Sequence, residues 1–223
     1  MSTERTPTPL DALADRYVDD ACALSPFTAT FAGVPGHESE VTDVSPEGFA
    51  ARAELDRRTL AALDGVAPVD DVDRVTLAAM RERLGLAVEL ADTGHDRGGP
   101  ALVNAIESPL QTVRDVVDLM ATSTADDWAA VAARLHRVGE VLAGTRASLA
   151  EVATSPDPAL RPTRRQVAAC AEQCDALADP TTGQLAATVA GAGLDGGAPL
   201  PAALTADPDA GLRAPPSAFA EHG

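Results

Sequence analysis

The chain is predicted to be all-α, a multi-helix bundle of about seven helices with a poorly structured Pro/Gly-rich C-terminal tail. Three observations predict this. Ser-Pro or Thr-Pro pairs recur where a hydroxyl can cap a helix and proline can occupy its first position. Behind them, apolar residues return every three or four positions. No segment shows the period-two alternation of a half-buried strand, and β-branched runs are short.

Taken in order, Thr8-Pro9 opens a helix whose apolar stripe is Leu10, Leu13, Ala14, Tyr17, Val18 and Ala21. Ser25-Pro26 starts a short second helix carrying Phe27 and Phe31, which Gly33 ends, and residues 34–44 form a loop. Ser45-Pro46-Glu47 opens the third helix through Phe49, Ala53, Leu60 and Leu63, with Gly65 as its stop. The fourth runs from about 69 to 91 with Val72, Met80, Leu84 and Val88 on one face, and a glycine-rich loop follows over 93–100. Ser108-Pro109 begins the fifth. Gln111 stands three residues after the serine as a capping box, and Val113, Val116, Val117 and Met120 form the buried face. Trp128, Val131, Leu135, Val138, Leu142, Thr145, Leu149 and Val152 alternate spacings of three and four. They predict one continuous sixth helix with the seam of an antiparallel bundle. The seventh spans about 162–178, with Val167, Cys170, Cys174 and Leu177 facing inward. Residues 180–223 then hold seven glycines and six prolines, including Pro215-Pro216, with helical fragments only near 185–189 and 200–204. The expected division is a helical domain over 8–178 and a weakly structured tail over 179–223.

Composition excludes some functions. The net charge is −17, the isoelectric point is near 4.4, and all seventeen basic residues are arginine. Such a surface repels phosphate backbones, and the densest basic group, Arg161, Arg164 and Arg165, reads as the solvated first turn of a helix. No nucleic-acid partner is expected. Three cysteines without regular spacing argue against a disulfide framework and for a reducing compartment. The N-terminus lacks the basic-then-apolar pattern of a leader, and no run of about 18 apolar residues occurs. A cytoplasmic protein without membrane partners is the expectation.

No constellation reads as catalytic. A zinc peptidase places two histidines one helical turn apart beside a glutamate, as HExxH. His37-Glu38 is half of that pattern, but position 41 is valine and the setting is a loop. His136 and Glu140, one turn apart, read as an intrahelical pair, while His95 and His222 have no partners in pattern. Cys170 and Cys174 share a face and read as small buried apolar residues. Asp19-Asp20, Asp70-Asp71 and Asp126-Asp127 lie at helix ends, Gly94, Gly98 and Gly99 lack phosphate-cradle spacing, and Ser108 reads as a cap. Expected catalytic, cofactor-binding and metal residues are therefore none.

The order of several blocks resembles a known family. These are LDALADRYVDDACAL from residue 10, SPFTATFAGVPGHE (25–38), MRERLGLAVEL (80–90), the SPLQ block (108–111) and ADDWAAVAARLHRV (125–138). Together they resemble the N-terminal helical part of the DUF885 family, bacterial proteins related to HExxH zinc peptidases. The likeness covers about residues 8–178. In that family the metal motif lies in a C-terminal half without counterpart here, so no catalytic or metal residue carries over. Zinc is implied only for full-length members. The resemblance implies a non-catalytic helical portion of a carboxypeptidase- or oligopeptidase-like protein, truncated or frame-shifted before the metal site. Its partner would be the missing half, or a second copy through an exposed apolar face. The alternative is a free-standing helical interaction or dimerisation protein without activity.

Overall fold

A computed structural model describes residues 5–206 apart from 105, 107 and 180. Its helices are α1 (Pro9–Leu24), α2 (Pro26–Ala32), α3 (Pro46–Leu63), α4 (Asp71–Thr93), α5 (Gly99–Leu102), α6 (Pro109–Asp118), α7 (Ala125–His136), α8 (Val138–Ala153), α9 (Arg164–Ala178), α10 (Gln184–Ala190) and α11 (Ala202–Ala206). No strand occurs among the described residues. The fold is all-α, with more helices than seven.

Local chemistry sets the starts. Thr8, Ser25, Ser45, Asp70, Ser108, Thr124 and Thr163 each accept a hydrogen bond from the backbone N–H three residues on. Each such cap contributes about 1 kcal/mol. The reciprocal box closes at Thr8/Asp11, Thr124/Asp127 and Thr163/Gln166. At Ser108 only the serine half forms. The buried Gln111 instead donates from Nε2 to Gln173 Oε1 at 2.8 Å, tying α6 to α9.

Two hydrophobic cores result. Leu10, Leu63, Leu77 and Leu84 hold α1, α3 and α4 together, with Leu13, Tyr17, Leu60 and Met80 around them. The larger core joins α6, α7 and α8 through residues such as Val113, Val116, Trp128, Val131, Leu135, Val138 and Val141, and takes in Phe27, Val41 and Val44. α8 crosses the chain closely at the start of α3. A Cβ at Gly144 would lie 2.9 Å from the Ser45 nitrogen, and Ser148 Oγ donates to the Val44 carbonyl at 2.8 Å. Only a hydrogen side chain allows that approach.

Several elements differ from the sequence expectation, and Val18 on α1 and Val167 on α9, both read as buried-face residues, are exposed. The single sixth helix is two, because Arg137 (φ −92°, ψ 1°) leaves the helical well and its N–H bonds back three residues to Arg134. The apolar seam continues on both sides because both helices pack on the same core. On α4, Val72 is 51% exposed. The inward position belongs to Asp73, which accepts from Thr8 Oγ1 (2.9 Å), the Val69 N–H (2.8 Å) and Arg5 Nη2 (2.5 Å). A satisfied carboxylate thus takes the place that apolarity alone assigns to a valine. The 93–100 loop contains a 3₁₀ turn at His95–Arg97 and leads directly into α5.

Beyond 179, α10 and α11 contribute Leu185 and Leu204 to the larger core, and Trp128 Nε1 donates to the Gly193 carbonyl at 2.9 Å. Pro215 and Pro216 lie outside the described residues. No described helix is long and apolar enough to cross a membrane.

Candidate functional site

A cleft of about 250 Å³ opens between α2, α3, the 95–102 segment and α6. Its walls are built by the local signals already described. The Ser25 cap and Pro26 start α2, which presents Phe27, Thr28 and Phe31, and Gly33 ends that helix at φ 71° in the left-handed region. Phe49 and Arg52, one turn apart on α3, form the second wall, and Ser108, Pro109 and Thr112 at the start of α6 form the third. A smaller hollow of about 140 Å³ shares Ser25, Thr28 and Arg52 and continues to Tyr17 and Asp56.

Two charged groups line the main cleft. The Arg52 guanidinium lies 4.6 Å from the centre of the Phe49 ring, and Nη1 donates to the Asp43 carbonyl at 2.6 Å. No carboxylate among the described residues lies within ion-pair distance of it. Burial pulls Arg52 below the ordinary arginine range, opposed by the more distant charges of Asp43, Asp96 and Asp56. Asp96 Oδ1 is shielded from solvent and has no hydrogen-bond partner, the nearest cation being Arg97 Nη1 at 3.6 Å. Burial pushes the Asp96 carboxyl up, against the pull of Arg97 and Arg52. At the far end, Tyr17 donates to Asp56 Oδ1 at 3.0 Å. Burial raises the Asp56 carboxyl, and burial together with the neighbouring Asp56 raises the Tyr17 phenol.

One arginine holds the floor in place. Arg134 of α7 is 1% exposed. It donates to the Glu40 carbonyl (Nε, 2.9 Å), Thr30 Oγ1 (Nη1, 2.8 Å) and the His37 carbonyl (Nη2, 2.6 Å), and its guanidinium lies 5.8 Å from the centre of the Phe27 ring. The 34–44 loop is thereby fixed to α2 and α7. Sequence reasoning missed Arg52, Asp96 and Arg134. For Arg134 a signal existed: it stands three residues after Val131 and directly before Leu135, on the seam.

The residues singled out in the sequence are not brought together. His37 lies in the 34–44 loop with Nδ1 3.0 Å from Glu40 Oε2. Glu38 accepts from the Gly36 N–H at 3.0 Å, which holds its carboxyl below the usual range. The half-motif is thus a turn. His95 Nδ1 lies 3.0 Å from Thr93 Oγ1. His136 ends α7 and Glu140 lies in α8, so the two are not on one helix, and Glu140 receives Nε and Nη2 of Arg137, both at 2.9 Å. His222 lies outside the described residues. Cys170 and Cys174 are half-buried along an apolar groove of about 210 Å³ with Leu142, Leu149 and Val167, and burial pushes both thiols up, away from the reactive thiolate. Among the described residues no group of three or more His, Cys, Asp or Glu could hold a metal ion.

The cleft thus joins residues 25–31 with residues 108–112, parts of two of the three most characteristic blocks in sequence, the third being 80–90. Both lie within residues 26–219, save Ser25, and that span matches the family described as bacterial protein of unknown function, DUF885. The chain belongs to the DUF885 family. Among curated proteins nothing matches it. The DUF885 match runs past residue 178, where the likeness in sequence fades, and so includes α10 and α11.

Proposed function

We propose that this chain is a non-catalytic helical portion of a DUF885-type, zinc-peptidase-like protein of carboxypeptidase or oligopeptidase kind, working in the cytoplasm. Its cleft recognises substrate, and the zinc chemistry belongs to the HExxH part of full-length members. The observation that carries this reading is the cleft itself. Phe27, Phe31 and the hydroxyls of Ser25, Thr28, Ser108 and Thr112 come from two blocks that carry the family resemblance, and Phe49, Arg52 and Asp96 add a third ring, one cation and one carboxylate. That is the composition of a recognition pocket, apolar with a few convergent polar groups. Metal analysis and peptide-hydrolysis assays test it. Zinc far below one per chain and no EDTA-sensitive cleavage are expected. Stoichiometric zinc with EDTA-sensitive cleavage of unblocked peptides overturns it.

A specific observation favours a second reading, a free-standing interaction protein that self-associates. On α4 the residues Val72, Val75, Ala79, Leu86 and Leu90 form an apolar stripe at helical spacing, facing away from Leu77 and Leu84, with Val75 69% exposed. Glu82 and Arg83 sit at its middle. Two copies of α4 packed antiparallel would bring each Glu82 to the other's Arg83 and each Val75 to the other's Leu90. Light scattering tests this. A dimer that strengthens with salt, as screening relieves the repulsion between chains of net charge −17, and that Leu86→Glu dissociates would establish it. A monomer at all salt concentrations removes it.

A further inference from the structure

We infer that the cleft takes a zwitterionic amino acid with an apolar side chain, its carboxylate on Arg52 and its ammonium on Asp96. The inference rests on the reading of this cleft as a recognition pocket and names the ligand class.

Arg52 carries the first half. A guanidinium offers five N–H donors in a planar fork that matches a carboxylate. Here it has one hydrogen bond, to the Asp43 carbonyl, and one ring contact, to Phe49, and no carboxylate in ion-pair reach among the described residues. Most of its donor capacity is left for a ligand in the space it lines. Asp96 carries the second half. Asp96 lines the same cleft, and its Oδ1 has no hydrogen-bond donor, with Arg97 Nη1 3.6 Å away. Arg52 and Asp96 line the same cleft of about 250 Å³.

The charges around them narrow the choice. A purely anionic ligand meets Asp96 in the cleft, with Asp43 and Asp56 nearby. A purely cationic one meets Arg52 in the cleft. A molecule carrying both signs satisfies both groups. The remaining wall is apolar, from Phe27, Phe31 and Phe49, so the side chain between the charges is apolar or aromatic. Size agrees: about 250 Å³ is below the roughly 300–1,000 Å³ of pockets for drug-sized ligands, and suits a single residue.

Titration of the full chain, followed by amide chemical shifts, tests this with phenylalanine, phenylalaninamide, N-acetylphenylalanine and N-acetylphenylalaninamide. Phenylalanine is expected to give saturable shifts around residues 27–31, 49–52 and 108–112. Blocking either end weakens binding at least tenfold. Arg52→Met abolishes the preference for phenylalanine over its amide, and Asp96→Asn abolishes the preference over the N-acetyl form. Alanyl-phenylalanine and phenylalanyl-alanine, which separate the two charges onto different residues, bind more weakly than the free amino acid. Equal affinity for all four phenylalanine compounds overturns the charge assignment while leaving an apolar recognition cleft. Tighter binding of a dipeptide overturns the single-residue assignment. The absence of saturable cleft shifts with any compound overturns both the inference and the recognition reading. The wild-type series needs no variant to fold.

Discussion

Replacing Arg134 with methionine isolates what fixes the cleft floor. The substitution keeps an unbranched stem against Phe27 and removes every donor. Two carbonyls, those of Glu40 and His37, lose the N–H groups that face them. A buried acceptor left without a donor costs roughly 1–3 kcal/mol, and the low end applies because the 34–44 loop lies at the surface and admits water. Thr30 loses little, since its hydroxyl also donates to the Pro26 carbonyl. Relief from burying a guanidinium offsets part of the total. The net expectation is a destabilisation of roughly 1–2 kcal/mol, which for a chain of this length lowers the melting temperature by roughly 2–8 °C. Urea unfolding followed by circular dichroism measures it, and limited proteolysis is expected to cut first within 34–44. Arg134→Lys, with one point charge for three acceptors, falls between. A stability within about 0.5 kcal/mol of the parent, with the loop uncut, would refute the reasoning, since mutations of that size need no buried network.

Further predictions concern charge and the end of the chain. Arg5 binds Asp70 at 2.6 Å and holds its carboxyl down at about 2, and it lowers Asp11 as well. Carboxyls depressed in the native state stabilise it above the ordinary value, and that stability is lost as pH falls from about 4 to about 2. The melting-temperature gap between the parent and Arg5→Ala should therefore close across that window; a constant gap counts against the ion pairs. Asp96 carries the opposite sign. Its carboxyl is raised by burial, so its charge opposes folding above the native pKa and the deficit shrinks as pH falls toward the ordinary carboxylate range. Asp96→Asn should melt higher than the parent at pH 7 and lose that advantage in mild acid. A variant ending at Gly183 loses the burial of Leu185 and Leu204 and the Trp128–Gly193 hydrogen bond. Each leucine is worth roughly 1.5–3 kcal/mol. Fluorescence of the one tryptophan should shift to the red and the melting temperature should fall. An unchanged spectrum would show that 184–206 does not pack on α7.

The starts at Thr8, Ser25, Ser45 and Ser108 were legible because capping is local chemistry. A hydroxyl or carboxylate, then often proline, then an N–H three residues on, needs nothing from the rest of the chain. The seam of α7 and α8 was legible for a similar reason, since a period of three and four survives wherever the helices end up packing. The break at Arg137 was not, because helical propensity continues through it and the packing of two helices on one core decides it. The phase of α4 misled because composition reads Asp73 as outward, whereas Thr8, Val69 and Arg5 satisfy its carboxylate inside. The cleft was legible only in pieces. Ser25–Phe31 and Ser108–Thr112 stood out as blocks, but Arg52 and Asp96 are ordinary surface-type residues until the fold buries one beside Phe49 and strips the other of a donor.

The sequence by itself determined the all-α class, the starts of α1, α2, α3 and α6, the acidic balance and membership of the DUF885 family, because each depends on composition, on neighbours within a few positions or on the order of blocks. Tertiary structure decided which charged side chains are enclosed and whether each finds a partner. Burial and pairing depend on groups far apart in the chain. Arg134 reaches residues 94, 97 and 104 positions away, and no local pattern records such distances.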